Sequence, residues 1–77
     1  MKVMNYRILL RKEPEGGYTV TVPVLPGCVT YGTTLDEALA MAKEAAELYI
    51  ESLREHGEPV PTEDGTFEYN LAVNAGA

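Results

Sequence analysis

The side chains with which this sequence could do chemistry are one histidine, His56, one cysteine, Cys28, and two carboxylates on strand-like stretches, Glu13 and Glu68. Two-metal phosphodiester hydrolysis needs several carboxylates converging from rigid positions, so that two ions sit about 3.5–4 Å apart. Glu13 at a strand end and Glu68 alone do not make that constellation. The remaining acids Glu37, Glu44, Glu47, Glu51 and Glu55 recur at helical spacing on the side away from the apolar stripe, which reads as a solvated helix face, with contact to a basic partner as the other use. His56 falls at the end of the same helical pattern, where positive charge suits the helix dipole, and no second histidine or cysteine stands at zinc-ligand spacing. Cys28 follows a Pro-Gly turn with no flanking base, the setting of a buried or half-buried thiol rather than a nucleophile. The glycines match neither a Walker pattern nor a strand-to-helix GxGxxG, and read as turn residues. No catalytic, metal-binding or cofactor-binding residue is assigned, and no enzyme is expected.

With no reactive cluster to position, the elements must present surfaces. The 77 residues make one domain over 1–77, with an ordered core at about 3–73 and an end at 74–77 read as fraying. A domain this small buries only about 60% of the surface its unfolded chain exposes. Pairing with a second copy or a partner covers what it leaves wet, so a dimer or tetramer is expected. Six basic residues against twelve acidic ones leave a net charge of −6. That charge opposes direct nucleic-acid binding and steers the protein toward a basic partner. One cysteine makes no internal disulfide, and Met1-Lys2-Val3-Met4-Asn5-Tyr6 lacks the apolar run of a secretory signal, so a cytoplasmic protein is expected. No apolar stretch approaches the ~20 residues of a spanning helix.

Residues Val3 to Lys12 alternate, with Tyr6, Ile8 and Leu10 on one side and Arg7, Leu9 and Arg11 on the other, predicting a first strand. Glu13-Pro14-Glu15-Gly16-Gly17 reverses the chain. Tyr18 to Val22 predicts a second strand, with Tyr18, Val20 and Val22 inward and Thr19 and Thr21 outward. Pro23 and Pro26 end that strand, and the Pro26-Gly27 turn leads to a short third one at about Cys28 to Tyr31. Thr34 with Glu37 forms the sequence signature of a capping box, opening a helix whose apolar positions Leu35, Leu39, Ala42, Ala46, Tyr49, Ile50 and Leu53 recur at spacings of three and four. It should run to about His56, with Gly57 at the left-handed stop. After a loop over 57–66, Phe67, Tyr69, Leu71 and Val73 alternate with polar or small residues and predict a last strand. Most of the five tyrosines fall on inward positions, so core packing is expected to claim four of them.

The middle of the chain is more particular than this outline. Gly17-Tyr18, then Val22-Pro23-Val24-Leu25-Pro26-Gly27-Cys28, then Gly32-Thr33-Thr34-Leu35-Asp36-Glu37-Ala38, and finally Gly57-Glu58-Pro59-Val60-Pro61 resemble, in order and spacing, the HicB antitoxin-like family. Together these segments anchor the resemblance from about residue 5 to residue 73. It implies an α+β fold of order β-β-β-α-β, a small antiparallel sheet with one long helix on one face, likened to a reduced ribonuclease-H-like or double-stranded-RNA-binding-like arrangement. In it Pro26, Gly27, Gly32, Thr34, Glu37 and Gly57 serve as structural motif residues. It also implies a protein partner, since family members usually act as antitoxins for HicA, a small ribonuclease that cleaves messenger RNA with a histidine. Many such antitoxins carry a C-terminal DNA-binding module. The sequence stops after the last predicted strand, so operator binding by this chain is not expected, and a solitary homo-oligomeric relative without a toxin stands as the alternative.

Two features exceed what a monomer core requires. Met41 and Leu48 sit roughly 120–140° from the centre of the apolar stripe at 100° per residue, marking an oligomer contact on the helix flank. The outward sheet residues Arg7, Leu9, Arg11, Thr19 and Thr21 form a face that one helix cannot cover, the expected docking surface for a toxin or another subunit.

Overall fold

The protein is described by a computed structural model that covers residues 3–76. Met1, Lys2 and Ala77 lie outside the described residues, and with them part of the start read for a leader and of the end read as fraying. Strands β1 (Leu9–Lys12), β2 (Tyr18–Thr21) and β3 (Val29–Gly32) form an antiparallel sheet of order β1-β2-β3, followed by helix α1 (Leu35–Glu55). This is the α+β architecture expected, a small antiparallel sheet with one long helix on one face. The registers Leu9↔Thr21↔Val29 and Arg11↔Thr19↔Tyr31 put those side chains on one face, while Leu10↔Val20↔Thr30 and Tyr18↔Gly32 belong to the other.

Helix α1 lies over β2 and β3. Its approach is set by Gly32, where a Cβ would collide with the backbone of Glu37 and Ala38 in the first helical turn. Ala38 and Ala42 therefore reach Val20 directly, and these three form one buried cluster flanked by Ile8 and Tyr18. A second cluster joins Val22, Leu25 and Cys28 to Tyr6, Val24, Ala45, Ala46 and Tyr49. The Pro23–Gly27 loop builds it: Leu25 N–H donates to Val22 O at 3.0 Å and Cys28 N–H to Leu25 O at 2.9 Å, turning the chain twice so that Leu25 points inward. The Tyr49 hydroxyl fastens this loop to the helix by donating to Pro26 O at 2.8 Å.

The caps are as the sequence spells them, with one change. Glu37 N–H donates to Thr34 Oγ1 at 3.1 Å, but the Glu37 carboxylate reaches past Thr34 and accepts from Thr33 N–H at 2.9 Å. At the other end Gly57 adopts φ +67°, and Gly57 N–H donates to Arg54 O while Glu58 N–H donates to Leu53 O at 2.8 Å, the paired bonds of a Schellman stop. The ring of His56 packs on the same terminus with Nδ1 2.7 Å from Ser52 O, the structural role expected of it.

Four expectations are corrected. The ladder of the first strand begins at Leu9 rather than Val3, because residues 3–8 pack on the helix and the loop at 61–63 in place of a strand. Leu10 is exposed, since α1 does not extend over β1. Leu35 and Leu39 are also exposed: the close approach at Gly32 buries the alanines, and Leu39 stands ~60° around the helix from Ala42. Finally, residues 67–73 pair with no strand among the described residues, and Tyr69 with Tyr31 remains exposed, so three tyrosines rather than four pack on the core.

Candidate protein-binding surfaces

The face of the sheet opposite the helix is open. Leu9, Val29 and Tyr31 are 60%, 54% and 50% exposed there, and they form two rows across the strands with Thr21, Thr19 and Arg11. Leu9, Arg11, Thr19 and Thr21 are thus brought together as the alternation foretold. Val29 and Tyr31 were missed, although carrying the hairpin register into the third strand would have placed them beside Thr21 and Thr19.

The polar members of this face are partly engaged. The Thr19 hydroxyl donates to Glu13 Oε2 at 2.6 Å, and Arg11 Nε lies 4.0 Å from the other oxygen of Glu13. Glu13, read first as a possible reactive carboxylate, is a local brace across the hairpin. The Tyr31 hydroxyl crosses to donate to Gly16 O at 2.9 Å, which lays the ring against Gly17 and stiffens the edge of the face.

Arg7 differs from the other four sheet-face residues. Its backbone N–H donates to Glu63 Oε2 at 2.7 Å, and its guanidinium stands 3.7 Å from Glu63 and 3.2 Å from Glu68. Together with Tyr6, whose hydroxyl donates to Pro61 O at 2.6 Å, it ties the post-helix loop to the start of β1. Glu68 is therefore the partner of an arginine. Beside this knot Leu9, Pro23 and Val24 line a shallow depression that continues the open face.

On the helix, Met41 and Leu48 are exposed on one flank as expected. The other flank, with Ala46, Ile50 and Arg54, faces Val3, Met4 and Tyr6 across a groove of about 760 Å³. Among the described residues no three His, Cys, Asp or Glu side chains gather as a metal site, and no helix is long and apolar enough to cross a membrane.

Cys28 is buried in the second cluster, and burial pushes its thiol pKa up. The Tyr6 hydroxyl is also raised, first by burial and then by the Glu63 carboxylate, with Arg54 pulling it partly back. Both groups hold their protons to higher pH in the fold than in the unfolded chain. The stability they carry is complete below about pH 8.5, the ordinary thiol value, and is lost as pH rises through their folded values. The urea midpoint is accordingly expected to be lower at pH 10 than at pH 7; an equal or higher midpoint at pH 10 contradicts this assignment.

Fold and surfaces together define a two-layer α+β domain whose outward features are an open sheet face and two helix flanks. The family described as HicB-like antitoxin of bacterial toxin-antitoxin systems matches residues 6–73. The chain belongs to this family, as the resemblance read from its motifs implied. A UPF0150 protein of Thermoplasma acidophilum is 48% identical over 61 residues, covering 79% of this chain and 88% of the relative. Another of Synechocystis is 49% identical over 63 residues, covering 82% and 80%. Antitoxin HicB of Escherichia coli K12 is 36% identical over 58 residues, 75% of this chain but 42% of that antitoxin. Membership carries the antitoxin role in general, with a toxin protein as the general kind of partner.

Proposed function

We propose that this protein neutralises a HicA-type, messenger-RNA-cleaving toxin by steric masking, with the open sheet face as the docking surface. The observation that carries the reading is the exposure of Leu9, Val29 and Tyr31 side by side on a chain of the antitoxin family. Masking requires no chemistry from the antitoxin, only apolar contact that holds the complex and charge that guides encounter. A net charge of −6 suits a basic nuclease and disfavours direct contact with the nucleic acid itself. The site of action is the cytoplasm, where messenger RNA is cut.

Co-expression with a HicA-type toxin, taken from any small basic open reading frame found beside its gene, tests this. Growth is expected to be restored and the two proteins to co-purify. Leu9→Glu is expected to weaken the complex at least tenfold, with the urea midpoint unmoved, because residue 9 is exposed in the free protein. Persistent growth arrest without co-purification overturns neutralisation, and unchanged affinity of Leu9→Glu removes this face.

A second reading, a homo-oligomeric scaffold without a toxin, is favoured by a different observation: Met41 and Leu48 lie exposed on a helix flank away from the sheet. It predicts a symmetric dimer or tetramer by light scattering and no toxin gene alongside.

A further inference from the structure

We infer that the toxin is held by strand addition: one of its strands, extended and basic, pairs with the outer edge of β3 through the backbone of Val29 and Tyr31. The inference rests on the neutralising reading above and names the contact that holds its partner. The hydrogen-bond alternation of the sheet fixes which groups face that edge. Val22 N–H donates to Cys28 O at 3.0 Å, and in the same register Val20↔Thr30 and Tyr18↔Gly32 lie two and four residues away, so these pairs exchange the ladder bonds between β2 and β3. The pairs Thr21↔Val29 and Thr19↔Tyr31 fall between them, and Val29 and Tyr31 turn their N–H and C=O groups away from β2, toward the outer edge. The other side of β2 agrees, since Glu13 N–H donates to Gly17 O at 3.0 Å and the same alternation commits Thr19 and Thr21 to Arg11 and Leu9 of β1. Among the described residues no turn, loop or side-chain bond engages the backbone of Val29 or Tyr31. Two donors and two acceptors thus stand in a row on a strand edge.

The two edges of the sheet differ in how they are guarded. β1 carries Arg11 and Lys12, charges that deter pairing, and on the approach to it Arg7 N–H is already taken by Glu63 Oε2 at 2.7 Å. β3 reads Val29-Thr30-Tyr31-Gly32, with neither a charge nor a proline to turn a strand away. The outward side chains of Val29 and Tyr31 are half exposed and end the two rows of the open face. A strand laid beside β3 therefore extends that face and sets its own side chains against theirs. Little ordering is needed first, because the Tyr31 ring already lies against Gly17 with its hydroxyl bonded to Gly16 O.

The edge itself selects the occupant. Backbone groups in a line are satisfied by an extended chain, whereas a helix keeps its own backbone bonded to itself. Charge then selects among strands. The bond from Tyr31 to Gly16 brings the hairpin loop with Glu15 toward the Gly32 end of the edge, and Asp36 and Glu37 follow that end in the first turn of α1. The cations of the sheet, Arg11 and Lys12, stand on the opposite edge strand. A basic strand is drawn to the β3 edge, while a second copy of this chain brings the same net charge of −6.

Amide exchange followed by nuclear magnetic resonance tests this on the full chain without a variant. In the free protein the Val29 and Tyr31 amides are expected to exchange faster than those of Thr30 and Gly32, and to become protected on adding the HicA-type toxin of the co-expression test. A chain assembled by chemical ligation at Gly27-Cys28 can carry an N-methyl group on Tyr31, which keeps the side chain and blocks the edge. It is expected to bind the toxin about tenfold or more weakly, with the helical circular-dichroism signal kept; if it does not fold, the exchange measurement decides alone. Val29 and Tyr31 amides left unprotected in a complex that forms, or a folded N-methyl chain of undiminished affinity, overturns strand addition while leaving neutralisation intact. Protection already present in the free protein overturns it as well, because the edge is then closed without the toxin. A toxin that does not bind at all removes both readings.

Discussion

Gly32→Ala is expected to cost about 3 kcal/mol, the upper end of what overpacking does, because the added methyl meets backbone rather than a side chain that could turn aside. Its Cβ would overlap the amide nitrogen and Cα of Ala38 and crowd the carbonyl carbon of Glu37, all atoms of a capped first turn. The φ of Gly32 is not in the left-handed region, so close approach alone demands glycine here. For the new methyl to fit, α1 must lift from the end of β3. Ala38 and Ala42 would then withdraw from Val20, dismantling the first buried cluster. Urea unfolding followed by circular dichroism checks this: with a slope near 1 kcal/mol per molar for so small a domain, the midpoint should fall by roughly 3 M. A midpoint within about 0.5 M of wild type would mean that the helix is not seated on Gly32.

Leu25→Ala is expected to destabilise by about 4 kcal/mol, toward the upper part of the range for deleting a buried leucine. Leu25 is wholly buried among Val22, Cys28, Ala45, Ala46 and Tyr49. Alanines have no reach with which to fill a vacated space. The loop cannot collapse easily either, since Val22 N–H donates to Cys28 O at 3.0 Å and the Tyr49 hydroxyl holds Pro26. Thermal unfolding should show a Tm lower by roughly 15–30 °C, because each kcal/mol moves a domain of this size by about 4–8 °C. Leu25→Met, close in volume, should cost less than about 1.5 kcal/mol. If the alanine variant matched the methionine one, the second cluster would not be a packed core. In a cell, a loss of this size lowers the population of folded protein, so partner binding would fall without any contact residue being touched.

These two sites bear on the binding surfaces through the same layer. The open face presents two cross-strand rows because the register between β1, β2 and β3 sets Leu9, Thr21 and Val29 in one and Arg11, Thr19 and Tyr31 in the next. That register persists only while the opposite face is pinned to α1 and the Leu25 loop. Stability and recognition are therefore carried by opposite faces of one sheet. A variant such as Leu9→Glu can alter recognition while leaving the core alone.

What the sequence determined by itself was everything decided within about five residues of the chain. Thr34 with Glu37, the Arg54–Glu58 stop at Gly57, the reversal at Gly16-Gly17 and the Pro26-Gly27 turn act through hydrogen bonds and dihedral preferences of near neighbours, and each stands where it was read. Alternation likewise assigned Leu9, Arg11, Thr19 and Thr21 to one face, because the two-residue period of a strand is local. Tertiary structure decided which apolar residues go inside. Ala38 and Ala42 are buried ahead of Leu35 and Leu39 because Gly32 draws the helix in along its smallest residues, a fact that depends on a partner outside the helix. Arg7 looked as free as Arg11 until the loop beyond the helix brought Glu63 and Glu68 to it from more than fifty positions away. The last strand shows the division most plainly: its pattern is written in Phe67, Tyr69, Leu71 and Val73, but pairing needs a neighbour. Periodicity states that one side must be covered without stating by what.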